Sequence, residues 1–172
     1  PTKTEATPVE QPQPSALATQ PAPSEAPDMW VLPGALGPLT TETELARRFG
    51  KQNVHEMTLT GPEGEQFPAL VLYPDDAQQR LELLLDPQDR DAPIQELRVR
   101  GVESRWHADN GLHPGMRLAD LVQRNGAPIT FYGFGWDYGG TIQDWHGGKL
   151  ANAVGTRAFH RVRLGLSNGA TP

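Results

Sequence analysis

WVLPGALGPLTTETELARRFG (residues 30–50) and WHADNGLHPGMRLADLVQRNG (residues 106–126) align without a gap at a spacing of 76 residues. Trp30/Trp106, Leu36/Leu112, Pro38/Pro114, Leu45/Leu121, Arg48/Arg124 and Gly50/Gly126 are identical, where ordinary composition gives roughly one or two matches over such a length. The stretches repeat a Trp, a helix start and a helix stop, but no catalytic group. They point to a duplicated unit and so to architecture before chemistry.

Each stretch holds a short helix. Thr40 or Thr41 suits the N-cap of a helix over residues 42–49, because a Thr hydroxyl accepts from free first-turn amides, and Glu42 and Glu44 complement that positive end. Leu45, Ala46 and Phe49 fall on one face, and Gly50 ends the turn. In the second copy, Leu118, Leu121 and Val122 form the expected buried stripe of residues 116–124, and Asn125-Gly126 supplies a left-handed stop.

After each helix the apolar period shortens towards two. Residues 54–60, 67–73, 80–86 and 94–101 read as four strands, with a turn at Gly61-Pro62-Glu63-Gly64. Beyond the second helix, residues 127–134, 138–145 and 159–166 read as three more, with turns near Trp136 or Asp137 and at Gly147-Gly148. The expected class is α+β: two repeated units, residues 29–104 and 105–172, each a short helix followed by an antiparallel meander. Joining the strands into one sheet with both helices on one face would bury the apolar face that each small unit leaves open.

Residues 1–28 carry seven prolines and no aromatic residue, a composition that cannot bury enough surface to offset chain entropy, and are expected to form a disordered tether. A lipidated Cys upstream of Pro1 would make it the tether of an envelope lipoprotein; an ordinary interdomain linker has the same composition. The formal charge of −6, without a Lys/Arg cluster, argues against nucleic acid as a partner. Having no cysteine, the chain has no disulfide, thiolate zinc site or Cys nucleophile. No apolar run approaches the length of a membrane span.

His113-Pro114-Gly115-Met116-Arg117-Leu118 through Gly126, and in part Gly37-Pro38-Leu39-Thr40 through Gly50, set a Gly or Pro lead-in before a short helix that stops at Gly. This pattern resembles the beta-lactamase inhibitor protein fold and the small outer-membrane assembly lipoproteins, in which a Gly-Met-Thr start leads to a helix ending in Leu-Gly. The resemblance implies a secreted or periplasmic protein, soluble or anchored to the outer membrane, whose sheet face binds another protein. It carries over no functional residue and does not imply lactamase inhibition.

FYGFGWDYGGTIQDWHGG (residues 131–148) is the most unusual stretch, alternating aromatic residues and glycines with Asp137, Gln143, Asp144 and His146. In one reading the glycines only relieve crowding beside large rings in a strand pair. In the other, Trp136, Tyr138 and Trp145 present a rigid contact surface, with Asp137, Asp144 and His146 as its polar groups. Strand alternation places Asp144 and His146 on one face and Trp145 on the other.

His107, His113 and His146 lack metal-ligand spacing, and Asp86, Asp89 and Asp91 lack the EF-hand pattern, so no metal or cofactor is expected. No serine has a G-x-S-x-G context. The expected function is therefore non-enzymatic: protein binding in the cell envelope through the sheet face or the aromatic hairpin. The alternatives are a glycan- or peptidoglycan-binding module, in which the aromatic faces stack on sugar rings, and a hydrolase using Asp137 or Asp144 with His146.

Overall fold

A computed structural model describes residues 28–152 and 158–167. The tether reading of residues 1–28 falls outside this range except for Asp28. The class is α+β, as the sequence patterns predict.

The first unit begins with β1 (Val31–Leu32) and α1 (Glu42–Phe49). Thr41 is the N-cap of α1. Its hydroxyl accepts from the Glu44 N–H at 3.3 Å while the Glu44 carboxylate accepts from the Thr41 N–H at 2.9 Å, a complete capping box. Thr40 instead accepts from the Gly37 N–H at 2.8 Å, tightening the lead-in. A 3₁₀ turn then leads into β2 (Val54–Thr60), β3 (Gln66–Leu72), β4 (Leu81–Leu84) and β5 (Glu96–Arg98), which form an antiparallel sheet in sequence order. Leu45 and Phe49 of α1 pack on Leu70, Leu72, Leu81 and Leu83 to make the first core. On the other face Ala69 and Val71 are also fully buried, which is why β3 reads as a continuous apolar run.

The second unit comprises β6 (His107–Ala108), α2 (Leu118–Asn125), β7 (Thr130–Phe131) and β8 (Ile142–Asp144). Residues 159–166 form no regular strand. The segment docks on β8 through an isolated bridge, Thr141↔Arg163, and the bonds Ile142 N–H to Val162 carbonyl (3.0 Å) and Leu164 N–H to Gly140 carbonyl (2.8 Å). Gly140 is required here: its φ is +81°, and a Cβ would collide with the Leu164 carbonyl. Leu112, Leu121, Trp145 and Leu150 make the second core.

Two further expectations change. The strands do not merge into one sheet: β2–β5 form one, β7–β8 a second and β1–β6 a third. Each helix covers its own core, so neither unit needs the other's strands to bury its apolar face. Leu118 and Val122 are exposed rather than buried; of the expected stripe only Leu121 enters the core, joined by Asn125 at the end of the helix.

The units meet through their lead-ins. β1 and β6 pair in parallel, Val31 with His107 and Leu32 with Ala108, which are the pairs the sequence alignment makes. The indoles of Trp30 and Trp106 meet edge to face at 4.9 Å. Trp106 belongs in sequence to the second copy, yet it is buried in the first core and donates from Nε1 to the Gln79 carbonyl at 2.7 Å. The second unit's Trp thus seals the first unit's core.

Candidate functional site

Between β7 and β8 the chain leaves the ladder and makes a glycine-rich loop. Tyr132 and Tyr138 set their rings edge-on to Trp136 at 5.2 and 5.3 Å, and the Trp136 Nε1 donates to the Gly133 carbonyl at 3.0 Å. With its N–H committed inside the loop, the indole offers its carbon framework to solvent. Trp136 is 52% exposed, and Tyr132 and Tyr138 about 40%. Three large rings held in one packed ledge are pre-ordered, so a partner that covers them freezes little additional motion.

Trp145 is different. It is 8% exposed, lies in the second core and sets its ring edge-on to His160 at 6.1 Å. The expectation that Trp136, Tyr138 and Trp145 share one contact surface is corrected: just past the end of β8 the chain turns Trp145 into the second core, while the loop carries the other two out. Tyr132, which sequence reasoning did not single out, takes the third place.

Beside Trp136 an open cleft of ≈ 310 Å³ runs between the units, lined by Thr60, Gly61, Pro62, Arg100, Trp136, Asp137 and Arg163. Arg163 spends its Nε on the Gly139 carbonyl (2.9 Å), which braces the aromatic loop, and Arg100 spends its Nε on the Glu82 carboxylate (3.3 Å). Their terminal Nη groups donate no hydrogen bond among the described residues, although the Arg100 guanidinium as a whole is ion-paired with Glu82. Glu82, 3% exposed, is also held by Arg80 at 3.0 Å, so this buried carboxylate fixes two guanidiniums at the sheet's second face.

Asp144 and His146 lie apart from this cleft, and Asp137 does not join them. His146 Nδ1 stands 3.6 Å from the Asp144 carboxylate, its Nε2 is hydrogen-bonded to the Thr130 hydroxyl at 2.7 Å, and its backbone N–H donates to Asp144 at 2.7 Å. The order carboxylate, imidazole, hydroxyl has the composition of a hydrolytic relay. All three side chains are exposed, however, and the carboxylate–imidazole separation exceeds a hydrogen bond. The arrangement clips the ends of β7 and β8 together where Thr130 and Asp144 are in register.

The other polar candidates are engaged locally. His107 pairs with Asp28 at 3.2 Å, and His113 is hydrogen-bonded to the Pro114 carbonyl at 2.8 Å. Asp86 accepts from the Gln88 and Asp89 amides, and Asp89 from the Asp91 amide, which makes the acidic loop a chain of Asx turns.

The most connected polar side chain among the described residues was not legible as such. Asn125, fully buried, donates from Nδ2 to the carbonyls of Trp145 (2.9 Å) and Ala127 (3.0 Å) and accepts from the Leu150 N–H at 3.1 Å. It ties the end of α2 to the segment that follows β8 and carries Trp145. Its sequence signal, Asn before a helix-stopping Gly, reads only as a cap; the left-handed residue is Gly126 (φ +71°). Comparisons of this chain with protein families, with curated proteins and with solved structures find no match.

Proposed function

We propose that this protein is a non-enzymatic binding module whose contact surface is the Tyr132–Trp136–Tyr138 ledge with the adjoining Arg100/Arg163 cleft. The observation that carries this reading is the exposed, pre-packed Trp136 between two tyrosines. Trp, Tyr and Arg are the residue types that dominate binding energy at protein interfaces, and here all three converge. The partner is another protein. The bacterial cell envelope as the setting, a lipid-anchored tether, the duplication of one ancestral unit and kinship with inhibitor-like envelope folds belong to the same proposal, supported by the composition of residues 1–28, the two similar stretches and the resemblance of their helix motif.

Affinity capture of envelope proteins on immobilised wild-type chain and on Trp136→Ala tests the reading. Recovery of a partner by the wild type, with loss on the variant, is expected; equal recovery by both would refute it. The cleft's mixed polar lining also favours a second reading, glycan binding, in which a sugar ring stacks on Trp136 while Asp137 and Thr60 bond its hydroxyls. Co-sedimentation with purified peptidoglycan, abolished by Trp136→Ala, would select that reading instead.

A further inference from the structure

The longest exposed edge of the main sheet ends in this cleft. Bonds from the Tyr73 N–H to the Asn53 carbonyl (2.8 Å) and from the Gly61 N–H to the Glu65 carbonyl (2.7 Å) bracket the β2–β3 ladder. With the register Val54↔Leu72 to Thr60↔Gln66, they fix its phase. Bonded and unbonded pairs alternate in an antiparallel ladder. His55, Met57 and Leu59 therefore turn their main-chain groups towards β3, and Val54, Glu56, Thr58 and Thr60 turn theirs outward. The Val54 N–H donates to the Lys51 carbonyl; no backbone bond from the described residues reaches the outward groups of Glu56, Thr58 and Thr60. His55, Glu56, Met57 and Thr58 are all exposed.

At the last outward position, Thr60, the edge meets Arg100, Arg163 and Trp136. We propose that an extended, acidic segment of a partner protein adds to β2 as a fifth strand and sets a carboxylate side chain between Arg100 and Arg163, beside the Trp136 ring. Two guanidiniums face one carboxylate, Asp137, in this cleft, and the Glu82 carboxylate that pairs with Arg100 is already shared with Arg80, so the cations locally outnumber the carboxylates although the whole chain carries −6. Their uncommitted Nη donors match an acidic side chain. Outward amides recur along the strand at about 6.8 Å, twice the residue rise, a spacing that a peptide main chain reproduces and a sugar ring does not.

The inference rests on the reading of the Trp136 ledge as a binding surface, and the experiment separates the two. Nonapeptides selected from a random displayed library on the full chain are resynthesised with each Asp or Glu as Asn or Gln, and binding is measured together with amide hydrogen exchange. The acidic peptides should bind at least about fivefold tighter than their amides, an advantage that shrinks in high salt and falls below about twofold in Arg163→Gln. The outward amides of Glu56, Thr58 and Thr60 should slow in the complex. Thr58→Pro, which removes one outward donor and no ladder bond, should abolish that protection in a chain whose circular dichroism is unchanged.

Trp136-dependent binding with no charge preference and unchanged β2 exchange would overturn the fifth-strand proposal and leave the ledge reading standing. Binding indifferent to Trp136→Ala would overturn both. Failure to enrich any peptide, with polygalacturonate bound instead, would assign the cleft to an acidic glycan and also overturn the proposal.

Discussion

Replacing Asn125 by Ala should weaken the second core more than any exposed substitution in that unit. The side chain makes three well-formed hydrogen bonds, two donated to the Trp145 and Ala127 carbonyls and one accepted from the Leu150 N–H. At about 1 kcal/mol net each, plus the cost of leaving the buried Leu150 donor dry, the loss is about 3–4 kcal/mol. Better helix propensity returns less than about 0.7 kcal/mol, too little to change the sign. Space is equally constrained, since a Cβ on Gly148 would run into this amide. Urea unfolding followed by Trp fluorescence should register the loss, and exchange of the Leu150 amide should accelerate. Asn125→Asp keeps the acceptor but aims a carboxylate at carbonyl oxygens, so it should be at least as damaging at neutral pH and recover in part when acid protonates it. A loss below about 1 kcal/mol for Asn125→Ala would refute the idea that this amide holds α2 to the Trp145 segment.

Thr41→Ala removes the capping box of α1 and should lower stability by about 1 kcal/mol in thermal or urea unfolding. The partner helix α2 has Arg117 at its N-cap, whose exposed side chain pairs with Asp120 and makes no capping bond, so Arg117→Thr should raise stability by up to about 1 kcal/mol in the same assay. Asp76 accepts from the Gln79 side-chain amide and from the Gln78 and Gln79 backbone amides, which together hold its carboxyl below the ordinary 3.8. A lowered folded-state pKa adds stability above the unfolded value that is lost as pH falls through the folded one. Melting temperatures followed from neutral pH down into the acid range below 3.8 should therefore fall less steeply for Asp76→Asn than for wild type.

Locally coded features were legible. Thr41 and Glu44 sit three apart, Gly50 and Gly126 follow their helices, and β2 and β3 are bounded by turn residues; these are short-range interactions that the chain carries wherever it goes. The aromatic hairpin was legible as a region but not as a surface. Trp136 and Trp145 belong to the same residue type and lie nine positions apart, and only the path of the loop sends one to solvent and the other into the core. Leu118 and Val122 show the same gap: helical period names a face, but whether anything covers it depends on elements distant in sequence.

The amino-acid sequence by itself determined two short helices with their stops, a meander after the first, and a concentration of rings and glycines between residues 131 and 148, because caps, periodicity and composition act over a few residues. Tertiary structure alone decided that the two lead-ins pair side by side, that Trp106 crosses into the first unit's core, that Asn125 becomes a buried hub, and that the open edge of β2 runs into a cleft beside Trp136. Each of these joins residues far apart in the chain. Their energies come from burial and hydrogen bonding in a particular assembled geometry, which no local pattern encodes.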